Sequence, residues 1–563
     1  MKKPQFLVVL LLLVLFVWSC GPSAPEKAKE SPAQAAPAPV PETPAAQAPV
    51  VAQEVPEPKA APKVAAPEPA AVIPQEQKPL TSPTPAPVVP PAPAAVVKPA
   101  GPLTAPDLKI DPATGFQSAP VLVHLSAMPQ GTIVKYTLDG TDPASGKAWP
   151  PGQLAVDKSA RLRVWAASPG GPASTAEGIF TVGEVWVQTA GTGDGSWDHP
   201  LGTLEAAVAK ATSLGAHRIR LFSGTFAAKA DLTTAWDLSG GWKALGEADT
   251  KPTILQGTKQ SGTTQKDPGY TVRVSGGKFS ISNLEIRAPN SSVSAAVVAG
   301  LDATLEITGS RLVGGSGLYG YGLRASGATL VAVTDSTLSG GDGGSTFALS
   351  SEKSTIKALR STFDGGTGNA VSYGLNLTLS KADLVSCVVW GGSGDSSYGV
   401  GFYSSVGGKL WASTILGGKG SSAWAVYLSE SDPEIVDCLI GSTGKAKSYG
   451  VFVNLGKSLP RALRSNAFFG SASGAFTGTS LGKVSTAPGP AGAFLDSNGA
   501  ALADQKSNVA AEPVLGPSPD FRTLPASPAS ILQGGEALGG EAATDRAQKV
   551  RGPTMAIGAW RAE

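Results

Sequence analysis

Cysteine, histidine and methionine are scarce in this chain, with three of each among 563 residues. The histidines at positions 124, 199 and 217 lie outside the regular repeats described below, so no histidine pair can be placed as a metal site or catalytic base. Charged residues make up 16% of the chain and the formal net charge is +2, which argues against electrostatic capture of nucleic acid. We therefore expect no cofactor, no metal site and no nucleic-acid partner.

The second half of the chain contains two residue patterns that share one period of 25 or 26 positions. An aromatic residue recurs at Tyr321, Phe347, Tyr373, Tyr398, Trp424 and Tyr449. Glycine pairs recur at 314–315, 340–341, 365–366, 391–392 and 417–418. Self-similarity at such a period indicates a solenoid, in which each repeat stacks on the next.

The residues before each glycine pair indicate which solenoid this is. Two positions earlier stand Leu312, Leu338, Phe363, Val389 and Ile415, and four positions earlier stand Ser310, Ser336, Ser361, Cys387 and Ser413. Apolar and small residues at a spacing of two lie on one face of a strand, and the high Gly, Ser and Thr content opposes helical repeats. We predict an all-β, right-handed parallel β-helix, in which Cys387 and Cys438, two coils apart, are buried thiols about 10 Å from each other.

The aromatic pattern has two interpretations. An aliphatic residue follows each aromatic after two positions, as Leu323 follows Tyr321, so both are expected to face inward and the rings to stack in the core. A sugar-stacking platform is the alternative. Trp390 follows inward Val389 and is expected to point outward near Leu416 and Ile440, as a possible ligand contact in an exposed apolar strip unless a loop covers it.

The N-terminal residues 1–20 have the pattern of an export signal, with Lys2 and Lys3 before an apolar run that ends at Ser19 and Cys20. The segment Val17–Cys20 resembles the lipobox of bacterial lipoproteins, which implies cleavage before Cys20 and lipid attachment there; an uncleaved membrane anchor is the alternative. Gly21 in place of aspartate favours the outer membrane or cell surface. Residues 21–105 are rich in Pro and Ala and are predicted to be a disordered linker.

Residues 106–182 are predicted to form a small β-sandwich, because apolar residues alternate at 121–125 and 162–166. Between them, the string YTLDGTDP at 136–143 contains an Asp-Gly turn followed by proline. This string resembles the chitobiase and β-hexosaminidase C-terminal domain family, which implies an accessory, noncatalytic module. Arg161, Arg163 and Trp165 alternate with core residues, so they could contact carbohydrate, or Trp165 could pack on the next domain.

Residues 184–563 are assigned to the β-helix. The Gly-rich stretch at 191–195 precedes a predicted helix that ends near 214 and would cap the first coil. Together with the stretch at 223–242 it resembles the entry segment of pectin-lyase-fold proteins. The segments around Pro513, Asp520 and Ile557 resemble the closing segment of the same group. This resemblance implies the fold and leaves the function open.

Acidic residues do not cluster in the sequence as catalysis on this fold would require. A glycoside hydrolase needs two carboxyl groups across a cleft, and a lyase needs acids for calcium with a basic group. No catalytic residue is therefore predicted. We expect a noncatalytic cell-envelope lipoprotein, attached to a membrane by its N-terminal lipid, whose β-helix binds glycan or another surface protein. A carbohydrate-active enzyme, either a polysaccharide lyase or a glycoside hydrolase, and a structural spacer or assembly component are the alternatives.

Overall fold

The structure, a computed structural model, describes residues 104–560 except 113, 456–457, 480–484, 486, 490–491, 495–503, 518–520, 539 and 552–554. The predicted signal segment at 1–20, Cys20 and almost all of the linker at 21–105 lie outside the described residues. Within the described part of the chain, no helix combines the length and the apolar character needed to cross a membrane.

The first described strands form two sheets that pack face to face. One sheet consists of Ile110–Asp111, Val121–Leu125 and Leu154–Val156. The other has the order Gly115–Gln117, Ala173–Val182, Ala160–Ala167, Ile133–Thr137 and Lys147–Ala148. Their shared core includes Val123 and Val156 from the first sheet and Leu162, Val164 and Phe180 from the second. The alternation seen in the sequence therefore corresponds to a β-sandwich.

The Asp-Gly turn of the sandwich forms as expected from its residues. The Asp139 carboxylate accepts hydrogen bonds from the backbone N–H of Thr141 (3.0 Å) and from its hydroxyl (2.6 Å), and Gly140 has a φ of +78°. Asp142 then caps the short 3-10 helix Pro143–Ser145 by accepting from the Ala144 N–H. These local bonds fix the loop that separates two strands of the larger sheet.

Most of the remaining described chain is a right-handed parallel β-helix with three sheets, and each central coil contributes one strand to each sheet. Sheet A contains Glu184–Val187, Arg218–Phe222, Trp236–Ala244, Gly277–Ser282, Ala303–Thr308, Leu330–Thr334, Thr355–Leu359, Lys381–Val385, Lys409–Trp411, Glu434–Val436, Ala462–Arg464 and Gln505–Lys506, with Glu247–Ala248 paired at its edge. Sheet B contains Gly224–Ala228, Thr253–Gly257, Leu284–Arg287, Arg311–Val313, Thr337–Ser339, Thr362–Asp364, Val388–Trp390, Thr414–Leu416, Leu439–Gly441, Ala467–Phe469 and Val509–Ala510. Sheet C contains Ala230–Leu232, Gly269–Val274, Val293–Ala299, Tyr319–Ser326, Asp342–Glu352, Thr367–Thr378, Ser396–Tyr403, Ser422–Ser429, Lys447–Leu455 and Gly474–Gly478.

The predicted interior column of sheet B is confirmed. Leu312, Leu338, Phe363, Val389 and Ile415 pair in register from coil to coil, and each is fully buried. The serine column before it is also interior, where each hydroxyl bonds to the next coil: the Ser336 hydroxyl accepts from the Ser310 N–H (3.1 Å), and the Ser361 hydroxyl accepts from the Ser336 N–H (3.2 Å). Small polar side chains thereby satisfy backbone groups at the corner between sheets A and B.

Both ends of the β-helix are covered by other segments. The helix Leu204–Leu214, capped at its start by Thr203, packs Leu204, Ala207 and Ala211 against the first coil, which confirms the predicted capping helix. At the other end, the chain from Ala511 to Trp560 folds back over the last coils. We call its described residues the C-terminal strap.

Cys387 and Cys438 are free and fully buried. Burial raises the pKa of the Cys387 thiol to about 11 and the pKa of the Cys438 thiol further still. Both residues occupy the interior serine column, where the Cys387 N–H donates to the Ser413 hydroxyl at 3.1 Å. Their prediction as buried thiols is therefore confirmed.

The prediction that the aromatic rings lie in the core is wrong, although the rings do stack on one another. Ala348 and Leu349 are consecutive, and both are fully buried in the interior, so the strand bends between Phe347 and Leu349. The bend turns the preceding ring to the outer face of sheet C, where Phe347 joins Tyr321 and Tyr373 in a separate apolar cluster. A spacing of two places side chains on one face only while the strand is regular.

Candidate functional site

The outward face of the sandwich carries the residues that the sequence singled out there. Arg161, Arg163 and Trp165 alternate with buried neighbours along Ala160–Ala167, as predicted. Glu177 on the adjacent strand pairs with both arginines, at 2.5 Å to Arg161 and 3.6 Å to Arg163. The Lys135 ammonium lies 6.0 Å from the centre of the Trp165 ring. This face therefore presents one half-buried aromatic ring among largely paired charges.

Trp390 points outward, as predicted, but the apolar strip around it is not exposed. The C-terminal strap covers the strip: Trp390 packs against Phe521 at 5.7 Å between ring centres, and Leu416 is buried with Ile531 and Ile557 of the strap. The prediction that Ile440 lies beside Trp390 in the outward strip is wrong as well. Ile440 continues the interior column, because the outward column passes from Leu416 to Gly441.

The same outward column is uncovered in the coils before Trp390. Each residue that follows an interior residue of sheet B points outward, and in register these are Gln256, Arg287, Val313, Ser339, Asp364 and then Trp390. From Gln256 to Asp364 they line an open groove of about 710 Å3, with Lys259, Asn290 and Asp342 on its second wall. We call this the sheet B groove. It runs along the axis of the β-helix, and the half-buried Trp390 follows Asp364 in register on the next coil.

The second wall of the groove is the glycine corner between sheets B and C. Gly341 has a φ of +83°, and a Cβ there would collide with the Gly314 carbonyl of the previous coil. The corner therefore needs glycine and leaves its backbone without side chains to cover it. Asp342 follows this glycine directly and is exposed beside the groove.

Charges in the groove are unevenly arranged. At its first coils Arg287 pairs with Glu285 at 2.6 Å, and Arg311 of the next coil lies 3.9 Å from the same carboxylate. At its later coils Asp364 accepts a hydrogen bond from the Gly366 N–H at 2.8 Å. Burial raises the pKa of Asp364, with the Gly366 bond and the charge of Arg311 opposing the rise. Cations thus occupy one end and two carboxyl groups the other.

The sequence singled out Trp390 in this column but missed Gln256, Arg287 and Asp364. The signal was present, because each of these follows an interior apolar residue just as Trp390 follows Val389. Sequence alone could not show which part of the column the strap leaves open, since the strap is more than 100 residues away along the chain.

The aromatic ladder is poorly suited to bind sugar rings. Successive rings from Tyr321 to Tyr449 are separated by 4.4–5.8 Å between centres, with interplanar angles of 7–15°. Each inner ring therefore has both faces against its neighbours, and only ring edges reach the surface. A sugar stacks on a ring face, so the ladder's main contribution is to stability.

The described residues contain no group of three or more His, Cys, Asp or Glu side chains arranged to hold a metal ion. Within the part of the chain that the structure describes, the chemistry available in the sheet B groove is that of hydroxyl, amide, ammonium, guanidinium and carboxyl groups.

Comparisons with known proteins add likenesses to solved structures. No protein-family model matches the chain, and no curated protein matches it. Tailspike protein 3 of bacteriophage CBA120 is 13% identical over 62% of this chain and 66% of its own, with a TM-score of 0.26. The family 28 exopolygalacturonase of Yersinia enterocolitica is 10% identical over 66% of this chain and 96% of its own, with a TM-score of 0.22. The chain thus spans slightly less than two thirds of the tailspike.

Proposed function

We propose that this chain binds a glycan, without cleaving it, along the sheet B groove. The observation that carries the proposal is the open outward column of Gln256, Arg287, Ser339 and Asp364, which leads in register to the half-buried ring of Trp390. Amide, guanidinium, hydroxyl and carboxyl groups are the partners that sugar hydroxyls use, and an aromatic face packs on the apolar side of a sugar ring.

The spacing of the groove suits a polymer. Neighbouring coils lie about 4.8 Å apart, so the outward column offers side chains at intervals close to the length of one sugar unit, and all but Val313 are polar. A chain laid along the β-helix axis would meet a new side chain at each coil. Hydrogen bonds to neighbouring strands already hold the groove in place. Glycan binding would therefore order little of the protein, and the loss of conformational entropy on binding would be small.

The remaining parts of the chain suit display at a cell surface. The lipobox-like segment ending at Cys20 would supply a membrane anchor, and the Pro- and Ala-rich stretch to residue 105 would supply reach. Trp165, flanked by Arg161 and Arg163, is a second candidate contact for the same glycan on the sandwich. Two weak sites on one tethered chain would raise the effective concentration of the ligand at each.

A bulky side chain in the middle of the groove tests the proposal. Ser339 is half-buried and points outward between Val313 and Asp364, so Ser339→Trp should fill the groove. We expect the full chain to bind glycans on an array and this variant to lose about tenfold or more in affinity. Ser350→Trp is the matched control, because Ser350 is a half-buried outward residue of sheet C. Equal loss in both variants, or in neither, would contradict the groove assignment.

Hydrolysis of a glycan is a second candidate function, favoured by one observation. Asp342 and Asp364 come from neighbouring coils and line the same groove, and the pKa of Asp364 is raised by burial, as a general acid requires. If the groove is catalytic, Asp364→Asn should abolish release of reducing sugar ends while binding persists. Absence of turnover by the unmodified chain on every glycan it binds would exclude this candidate.

A further inference from the structure

The charges of the sheet B groove bear on which glycan it takes, an inference that rests on the proposed function. Cationic groups, Lys259 and Arg287, lie on the coils that begin the groove. Arg287 is held by Glu285 at 2.6 Å, so that carboxylate offsets part of the positive charge there. The carboxyl groups of Asp342 and Asp364 lie on the coils that end the groove, and Trp390 follows Asp364 in register on the next coil.

Neither of these two aspartates has an ion-pair partner within 4.0 Å among the described residues. Asp364 is half-buried, with one hydrogen bond from the Gly366 N–H, and Asp342 is exposed. A ligand carboxylate placed in the groove between Asp342 and Asp364 would meet both. Like charges a few ångströms apart repel, and the partly buried setting of Asp364 reduces the screening by water.

On the far side of Trp390, the Lys419 ammonium lies 5.9 Å from the ring centre. It follows the glycine corner three coils after Asp342, which is about 14 Å along the axis. That distance exceeds the Debye length of about 8 Å at physiological salt. Lys419 therefore offsets little of the repulsion beside Asp342 and Asp364.

We infer that the end of the groove lined by Asp342 and Asp364 accepts uncharged sugar units and rejects uronates, and that these two residues determine this choice. An uncharged sugar can donate hydroxyl protons to both carboxyl groups, whereas a uronate brings a third carboxylate into their field. Selection of this kind works by repulsion of the wrong ligand as much as by attraction of the right one.

Polygalacturonate and its fully methyl-esterified form make a suitable pair of probes, because they share one backbone and differ in charge. Both are measured against the full chain, alongside an array of neutral polysaccharides. We expect groove-dependent binding to neutral glycans, with the ester preferred to the polyanion by roughly tenfold or more. In the double variant Asp342→Asn/Asp364→Asn this preference should fall by about tenfold. Asp302→Asn, which removes an exposed carboxylate at the corner between sheets A and C, should leave the preference unchanged.

The possible outcomes distinguish failure of the charge selection from failure of glycan binding itself. Binding of polygalacturonate as tight as binding of the ester, lost in Ser339→Trp, would overturn the charge selection and leave glycan binding in place. A preference that persists in the double variant would overturn the assignment to Asp342 and Asp364. If no glycan binds, or if Ser339→Trp weakens the binding of none of them, the proposed function is overturned. The inference then fails with it.

Discussion

A buried ion pair helps to fasten the C-terminal strap to the coils. Arg551 of the strap lies 3.5 Å from Asp437, and both side chains are almost fully buried. The Arg551 guanidinium also donates to the carbonyls of Ala556 (2.9 Å) and Gly558 (2.6 Å). Burial raises the pKa of Asp437 and lowers the pKa of Arg551, because each charge has lost its hydration. Removal of one partner alone is therefore expected to destabilise the protein, because the other charge stays buried.

Replacement of Arg551 by methionine should loosen the strap. The change leaves the Asp437 carboxylate buried without its partner, which destabilises a protein by about 3–5 kcal/mol. Hydrogen exchange of the Gly558 amide, which donates to the Asp437 carbonyl at 2.9 Å, should report the opening as a loss of protection. The double variant Asp437→Asn/Arg551→Met should regain part of the protection. If Arg551→Met leaves exchange unchanged, the ion pair does not hold the strap.

At the level of residues, the sequence predicted well which side chains face inward in sheet B and poorly which outward ones are open. Spacing along a strand determines the facing, so Phe363 and Val389 could be placed inside and Trp390 outside. Exposure depends on contacts between distant segments, such as Trp390 with Phe521. The outward position of Trp165 in the sandwich was predictable for the same reason as the inward position of Phe363.

Among the elements of the fold, the aromatic ladder forms a continuous stack of rings on the outer face of sheet C. Its rings stack without interruption over six coils because parallel strands in register repeat the same position at every coil. The sequence revealed the period of the ladder but not its side. A small residue follows each ring, as Ala348 follows Phe347, and it allows the strand to bend.

Removal of one central ring should cost stability and spare binding. Tyr398 stacks between Tyr373 and Trp424, with ring centres at 4.4 and 4.5 Å. Tyr398→Ala removes two stacked pairs and part of an apolar surface, which should lower the free energy of unfolding by roughly 2–4 kcal/mol in urea titrations. Tyr319→Ala, at a tyrosine without a stacked ring partner among the described residues, should cost less. Weaker glycan binding by folded Tyr398→Ala would mean that the ladder is part of the site.

At the scale of the whole molecule, the repeat made the architecture predictable. The paired columns of glycine and apolar residues identified a β-helix of stacked coils, because each coil buries its apolar face against the next. The strap and the groove it leaves open depend on one irregular segment near the C-terminus. Such a segment has no periodic pattern in the sequence, so the candidate site could be predicted only in part.

The N-terminal lipid anchor remains a prediction, and it can be tested on the intact chain. Cys20→Ala should remove the lipid attachment point, so the protein should leave the membrane fraction or retain its signal segment. Cys387→Ala is the control, because Cys387 is buried in the β-helix and should not affect anchoring. Normal processing and membrane fractionation of Cys20→Ala would rule out the anchor.

The most direct test of glycan binding is a crystal structure of the chain with the neutral polysaccharide that binds it most tightly. We predict that the glycan lies along the β-helix axis in the sheet B groove, with hydrogen bonds to Arg287 and Asp364 and one sugar ring against Trp390. A glycan bound only at the Trp165 face of the sandwich, or on the edges of the aromatic ladder, with the groove empty, would contradict the account.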